Sequence, residues 1–204
     1  MRRVAIVGTG HTNFMFNSPN TEVEMLAEAS MEAITNSNLK PKDIQAIYCG
    51  NCLGDFSEGQ GMVQSYLAND IGCMNVPASR FEGACASGTI AIRDAYMWVA
   101  SGFYDIVLAG GTEKATAMGT PLATRTFAMF GDSRYEYPAG FTFPAFFAME
   151  AHLYASTYKV PLEKLKEQMA MISVQSHYYG AKNHHAQFRK EITVDKVLNG
   201  FMVT

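Results

Sequence analysis

No apolar run in this sequence approaches the roughly 20 residues that a membrane-spanning helix needs, so a membrane partner is not expected. The amino terminus, residues 1–8, lacks the apolar length and small-residue cleavage pattern of a signal peptide. Its reading is the start of a cytoplasmic protein. Cysteine is scarce: Cys49, Cys52, Cys73 and Cys85 are all there is. An even count would suit two disulfides, but without a secretory signal reduced thiols are the better reading. Charge is also sparse. Charged residues make up 17% of the chain and the net charge is −3, which argues against nucleic acid as a partner. Repeats and low-complexity tracts are missing, so solenoids and disordered linkers are not indicated. What is abundant is apolar mass: 48% hydrophobic residues, including 13 Met and 13 Phe. That is a globular composition, and 204 residues can bury a core without a disulfide or metal staple.

The charge that exists is unevenly placed. Residues 151–204 carry a net +3 and residues 1–150 a net −6. Four of the five His also fall after residue 150. A basic tail could meet an anionic ligand or simply be a solvated helical face.

Residues 1–114 alternate between β-branched runs and helical periodicity. Strands are expected at 3–8, 44–49, 76–81 and 104–109, and helices at 22–38, 61–71 and 85–101. This alternation means βαβ units, a parallel sheet and an α/β class. Active groups in such sheets gather at the carboxyl ends of strands. Here those ends are Gly8-Thr9-Gly10, Gly50-Asn51, Glu82-Gly83 and Gly110-Gly111. The pattern changes over 115–204, a second region. Residues 112–148 are rich in Gly, Pro, Thr and aromatics and read as an irregular, lid-like segment. Helices are expected at about 146–158 and 162–179, with Pro161 at the first position of the latter. Residues 194–198 and 201–204 read as strand-like.

The strongest local signal is Glu82-Gly83-Ala84-Cys85-Ala86-Ser87-Gly88, where a strand gives way to a helix. The helix field there favours a thiolate, and small neighbours let a substrate carbonyl approach. The Cys85 N–H could help hold an oxyanion. The arrangement resembles a nucleophile elbow with sulfur in place of oxygen. The competing reading is a buried structural Cys in an Ala-rich packing helix. Cys49-Gly50-Asn51-Cys52 could be a redox pair or half a zinc site. No second C-x-x-C follows, so two incidental thiols fit better and no metal is expected. Gly8-Thr9-Gly10 hints at a dinucleotide fingerprint. Asn13 stands where the third Gly belongs, and no helix follows closely enough. His177, His184 and His185 are read as loop residues; adjacent His184 and His185 would point to different faces of a regular element.

Taken together, these motifs resemble the amino-terminal portion of thiolases, most closely the archaeal and sterol-carrier-protein-X-like acetyl-CoA acetyltransferases. Residues 3–8 look like the family's first strand. Gly83-Ala84-Cys85-Ala86-Ser87-Gly88 matches its nucleophile motif, and Leu108-Ala109-Gly110-Gly111-Thr112-Glu113-Lys114 the strand end that follows. Asn183-His184-His185-Ala186-Gln187-Phe188 resembles the end of its loop domain, with His184 where Pro is usual.

The resemblance implies an incomplete three-layer αβα fold with a mixed, mostly parallel sheet, plus a helical and irregular loop domain that covers coenzyme A. It implies Claisen condensation or thiolysis of acyl-CoA thioesters through an acyl group on Cys85. Met118, Phe143 and Phe147 become acyl- or pantetheine-facing candidates. Coenzyme A enters as substrate, and no other cofactor is implied. The family's second half supplies a His, a second Cys and a Gly-rich loop that are not in this sequence. The chain alone is therefore expected to be inactive. It would be a truncated enzyme, a subunit completed by a carboxyl-terminal-half partner, or a non-catalytic acyl-CoA-binding or scaffold protein. A dimer or tetramer is expected, with residues 76–81 as the pairing strand and an uncovered sheet face.

Overall fold

The computed structural model describes residues 2–204. The chain divides into two compact units. One comprises the described residues 2–12 and 16–119, the other residues 13–15 and 120–204.

The first unit is built on a three-stranded parallel sheet of order β2-β1-β3, with β1 at Ala46–Gly50, β2 at Ala78–Phe81 and β3 at Val107–Gly111. In register, Ile47 lies beside Ala78 on one side and Leu108 on the other. The central strand is buried along its whole length. Its side chains alternate between two apolar layers, as strand geometry requires. Ile47 and Cys49 face α1 (Glu22–Asn36) and α3 (Val63–Asp70), where Val23, Leu26, Ile34, Val63 and Leu67 complete the core. Ala46 and Tyr48 face α4 (Ser87–Ser101) and pack on Ala91 and Ala95. The result is an αβα sandwich.

Helix α1 starts where the sequence says it should. Thr21 Oγ1 accepts the Glu24 N–H at 3.2 Å, and the Glu24 carboxylate accepts the Thr21 N–H at 2.7 Å. This reciprocal cap satisfies two donors that the first turn leaves orphaned. A short helix α2 (Gly54–Ser57) was not expected from the sequence.

Two expectations need correction. Residues 3–8 are not a strand. The stretch lies along α1 instead. The Asn36 side chain donates to the Thr9 carbonyl at 3.0 Å, and the His11 N–H donates to Glu32 at 2.9 Å. A Cβ on Gly8 or Gly10 would fall about 2 Å from the Ala33 or Ala29 carbonyl oxygen, so the Gly-Thr-Gly serves backbone-to-helix contact. The second correction concerns the sheet: no face is bare. Helices α1 and α3 cover one face and α4 the other; exposed apolar side chains on α4 include Ile92, Tyr96 and Met97.

The second unit is helical: α5 (Gly119–Ala128, continuing from the first unit), α6 (Phe143–Tyr158), α7 (Leu162–Gly180) and α8 (Val194–Leu198). Here α7 packs on α6 and α8, burying Ala155, Leu165 and Ala170. Pro161 caps α7 rather than opening it. Residues 194–198, read as strand-like, form α8, because Thr193 Oγ1 accepts the Lys196 N–H at 3.3 Å and caps a helical turn. Helix α5 lies within the segment read as irregular. No helix of the described residues is long and apolar enough to cross a membrane.

Candidate functional site at the strand ends

Each strand of the sheet is followed by a polar residue: Asn51 after β1, Glu82 after β2, and Thr112-Glu113 after β3. The parallel topology brings these residues to one edge, and the structure ties them together. Glu22, at the start of α1, is fully buried. Its carboxylate accepts hydrogen bonds from Ser57 Oγ at 2.6 Å, Asn51 Nδ2 at 2.8 Å and the Lys114 N–H at 3.0 Å. The Lys114 ammonium pairs with Glu58 at 2.7 Å and also reaches the Asn20 carbonyl. Glu113 accepts the N–H groups of Cys52 and Leu53, each at 2.9 Å. Burial pushes the Glu113 carboxyl above its ordinary range; the two backbone donors oppose that shift. On the rim, Arg80 pairs with Asp55 at 2.6 Å, and that bond lowers the Asp55 pKa.

Cys85 stands beside this network. Its turn is a short 3-10 helix, Ala84–Ala86, and α4 begins only at Ser87, two residues later than the sequence suggests. Ser87 Oγ straps the turn, accepting the Gly83 N–H at 3.0 Å and donating to the Ala84 carbonyl at 2.7 Å. Gly50 lets this turn sit on the end of β1: a Cβ there would lie 2.4 Å from the Gly88 nitrogen.

The four thiols divide sharply. Cys49, Cys52 and Cys73 are buried and Cys85 is exposed. Burial pushes the Cys49 thiol up to about 12. The Cys52 thiol is also pushed to about 12, first by burial and then by its hydrogen bond to Glu82. Cys73 is raised by burial too. The shift disfavours the thiolate, the reactive form, at all three. The C-x-x-C therefore holds two buried thiols whose thiolate form is disfavoured. No cluster of His, Cys, Asp and Glu suited to a metal occurs among the described residues.

The other candidates fall in two places. Met118 ends a 3-10 turn in the first unit and is buried. Phe143 and Phe147 lie together at the start of α6 in the second unit, with ring centres 5.1 Å apart, and Phe127 lies 6.0 Å from Phe143. His184 and His185 occupy a turn rather than a regular element, and their ring centres lie 3.9 Å apart with the planes tilted by 42°. His177, Phe188, Arg189, Lys190, Ile192 and Lys196 line a cavity of about 520 Å³ within the second unit.

Sequence reasoning missed Glu22, Asn51, Glu82 and Glu113 as a group. The signal available was the polar residue closing every strand.

A family model described as the thiolase N-terminal domain matches residues 4–201. The chain belongs to this family. It is 36% identical to an acetyl-CoA acetyltransferase of Methanothermobacter thermautotrophicus, covering all of this chain and 51% of that protein. It is 38% identical to the acetyl-CoA acetyltransferase of Methanocaldococcus jannaschii, covering 98% of this chain and 49% of the relative. It is 32% identical to a benzoylsuccinyl-CoA thiolase subunit of Thauera aromatica, covering 99% and 50%. A solved structure described as an Ltp2-ChsH2(DUF35) aldolase superposes with a TM-score of 0.69 at 24% identity, over 98% of this chain and 49% of that one, and so shares the fold. The chain spans about half the length of the curated thiolase relatives it matches.

Proposed function

We propose that this chain is the amino-terminal half of a thiolase-type acyltransferase and that Cys85 takes the acyl group. The observation that carries the reading is the exposure of Cys85, alone among four thiols, on the strand-to-helix turn inside the family match. In the first step the Cys85 sulfur attacks the carbonyl carbon of an acyl-CoA thioester. The bond from that carbon to the CoA sulfur breaks. CoA leaves as its thiol, carrying the proton that Cys85 gives up, and the acyl group stays on Cys85 as a new thioester. One thioester replaces another, so the step needs no external energy source, and it splits a difficult transfer in two.

Completing the reaction requires proton transfer at the α-carbon of a second thioester. We assign those acid and base groups to a carboxyl-terminal partner corresponding to the rest of the relatives' length. General acid–base catalysis is worth about 10²–10⁴-fold, so the 204-residue chain alone is expected to stop after acylation. Met118, Phe143 and Phe147 are the apolar groups we assign to the acyl or pantetheine chain. Arg189, Lys190 and Lys196 along the 520 Å³ cavity support a role for the second unit in meeting the phosphates of CoA.

Mixing the chain with acetyl-CoA and measuring released CoA by chromatography tests the reading. The expected result is release of one CoA per chain, with no further turnover. Sustained turnover would show that the chain needs no second half, and absence of any release would remove Cys85 as acceptor. Pairing of two copies is also expected, because β2 is an outer strand of the described sheet. Sedimentation should show a dimer or larger species, and a monodisperse monomer would contradict it.

A further inference from the structure

The turn that presents Cys85 is not one the backbone adopts freely. Ala84 has φ of 49°, in the left-handed region, which a residue with a Cβ rarely adopts. Neighbouring contacts must hold it there. Ser87 straps one side of the turn. On the other side, Glu82 Oε1 accepts the Ala84 N–H at 2.6 Å, a charge-assisted hydrogen bond. The same oxygen lies 3.5 Å from the Cys52 sulfur, within reach of an S–H donor. One carboxylate oxygen thus joins the backbone next to the exposed thiol with the buried thiol of the neighbouring strand end.

We propose that Glu82 is a positioning residue that separates the roles of two neighbouring thiols, holding the Cys85 turn in its outward presentation while tying Cys52 down as a hydrogen-bond donor. The proposal rests on Cys85 being the acyl acceptor. It explains how that role is kept from Cys52, where an acyl group would be buried and lost to turnover. Glu82 contributes to the raised Cys52 pKa by both hydrogen bond and charge, which agrees with this role.

Two substitutions test it. Glu82→Gln keeps an oxygen that can accept the Ala84 N–H but removes the charge. Glu82→Ala removes both. Iodoacetamide alkylation of the 204-residue chain, resolved by cysteine with mass spectrometry from neutral to alkaline pH, is the readout. In the unsubstituted chain, label should enter Cys85 and largely spare Cys52. In both variants the Cys52 profile should move to lower pH, raising its rate on the order of tenfold for each unit of pKa lost. Cys85 labelling should fall several-fold in Glu82→Ala and be rescued in Glu82→Gln. If both cysteines behave as in the unsubstituted chain in folded variants, the proposal is wrong. Should Glu82→Ala not fold, the Cys52 profile of Glu82→Gln alone decides. Incubation with acetyl-CoA, run in parallel, separates the two ideas. Failure of the unsubstituted chain to accept acetyl would sink the function of Cys85, while the alkylation pattern would still judge Glu82.

Discussion

Substituting Cys85 by Ala is expected to abolish acyl uptake from acyl-CoA, lowering the rate on the order of 10³-fold or more, as loss of a covalent nucleophile does. The stability of the chain should barely change. Cys85 is exposed, and its side chain packs into neither of the two core layers. Exposed substitutions of this kind usually stay within about 0.5 kcal/mol. The other three cysteines should not substitute for it. Each is buried, and each has its pKa raised, so at neutral pH little thiolate forms at any of them. Cys85→Ser should behave almost as Ala, because a hydroxyl without an adjacent base is a far weaker nucleophile than a thiol. Transfer of radiolabelled acetyl from acetyl-CoA, with urea unfolding of the same samples, checks both halves of the expectation. Undiminished uptake in Cys85→Ala would place the acceptor elsewhere.

The largest stability effect is expected at Glu22. Its carboxylate is fully buried and satisfies three donors on three different segments: Ser57 at the end of α2, Asn51 beyond β1 and Lys114 beyond β3. Glu22→Ala would leave all three facing a cavity. The expected loss is about 3–5 kcal/mol, the range for stripping one partner from a buried charged group. Against a typical domain stability of about 5–15 kcal/mol, that is a large share. Glu22→Gln should cost less, about 1–3 kcal/mol, because the amide oxygen can still accept one hydrogen bond while its NH2 opposes one of the donors. Urea midpoints of the two variants, compared with the unsubstituted chain, measure the difference. Equal and small shifts would mean that the network does not hold the strand ends together. Glu22 and Glu113 meet at Asn51, whose amide lies 2.8 Å from one and 3.4 Å from the other. Their substitutions should therefore not add independently.

The alternation of strands and helices in residues 22–111 was legible because periods of two and of about 3.6 differ plainly over these lengths. Residues 3–8 misled because Val4, Ala5, Ile6 and Val7 have strand composition, yet what they become depends on a neighbour. Here the neighbour is α1, and Ile6 and Val7 remain exposed. Residues 194–198 misled in the opposite direction: five residues are too few for a period, and the Thr193 cap decided the outcome. Helix α5 was hidden by the Gly, Pro and Thr around it.

At the site, Cys85 could be singled out from its small neighbours and its place between strand and helix. The carboxylates could not, because their roles depend on which strands become neighbours. Glu113 meets Cys52 across 61 residues of sequence, and Glu22 meets Lys114 across 92. Only the order β2-β1-β3 brings those ends together. Even so, the carboxyl ends of the predicted strands, at Gly50-Asn51, Glu82-Gly83 and Gly110-Gly111, marked the edge where they gather.

The most direct test of Cys85 as the acyl acceptor is peptide mapping of the intact chain after brief exposure to acetyl-CoA at neutral pH and an acid quench that preserves thioesters. A single acetyl group is predicted on the peptide containing Cys85, and none on those containing Cys49, Cys52 or Cys73. Acetyl on one of those three, or none anywhere while iodoacetamide still alkylates Cys85, would contradict the account.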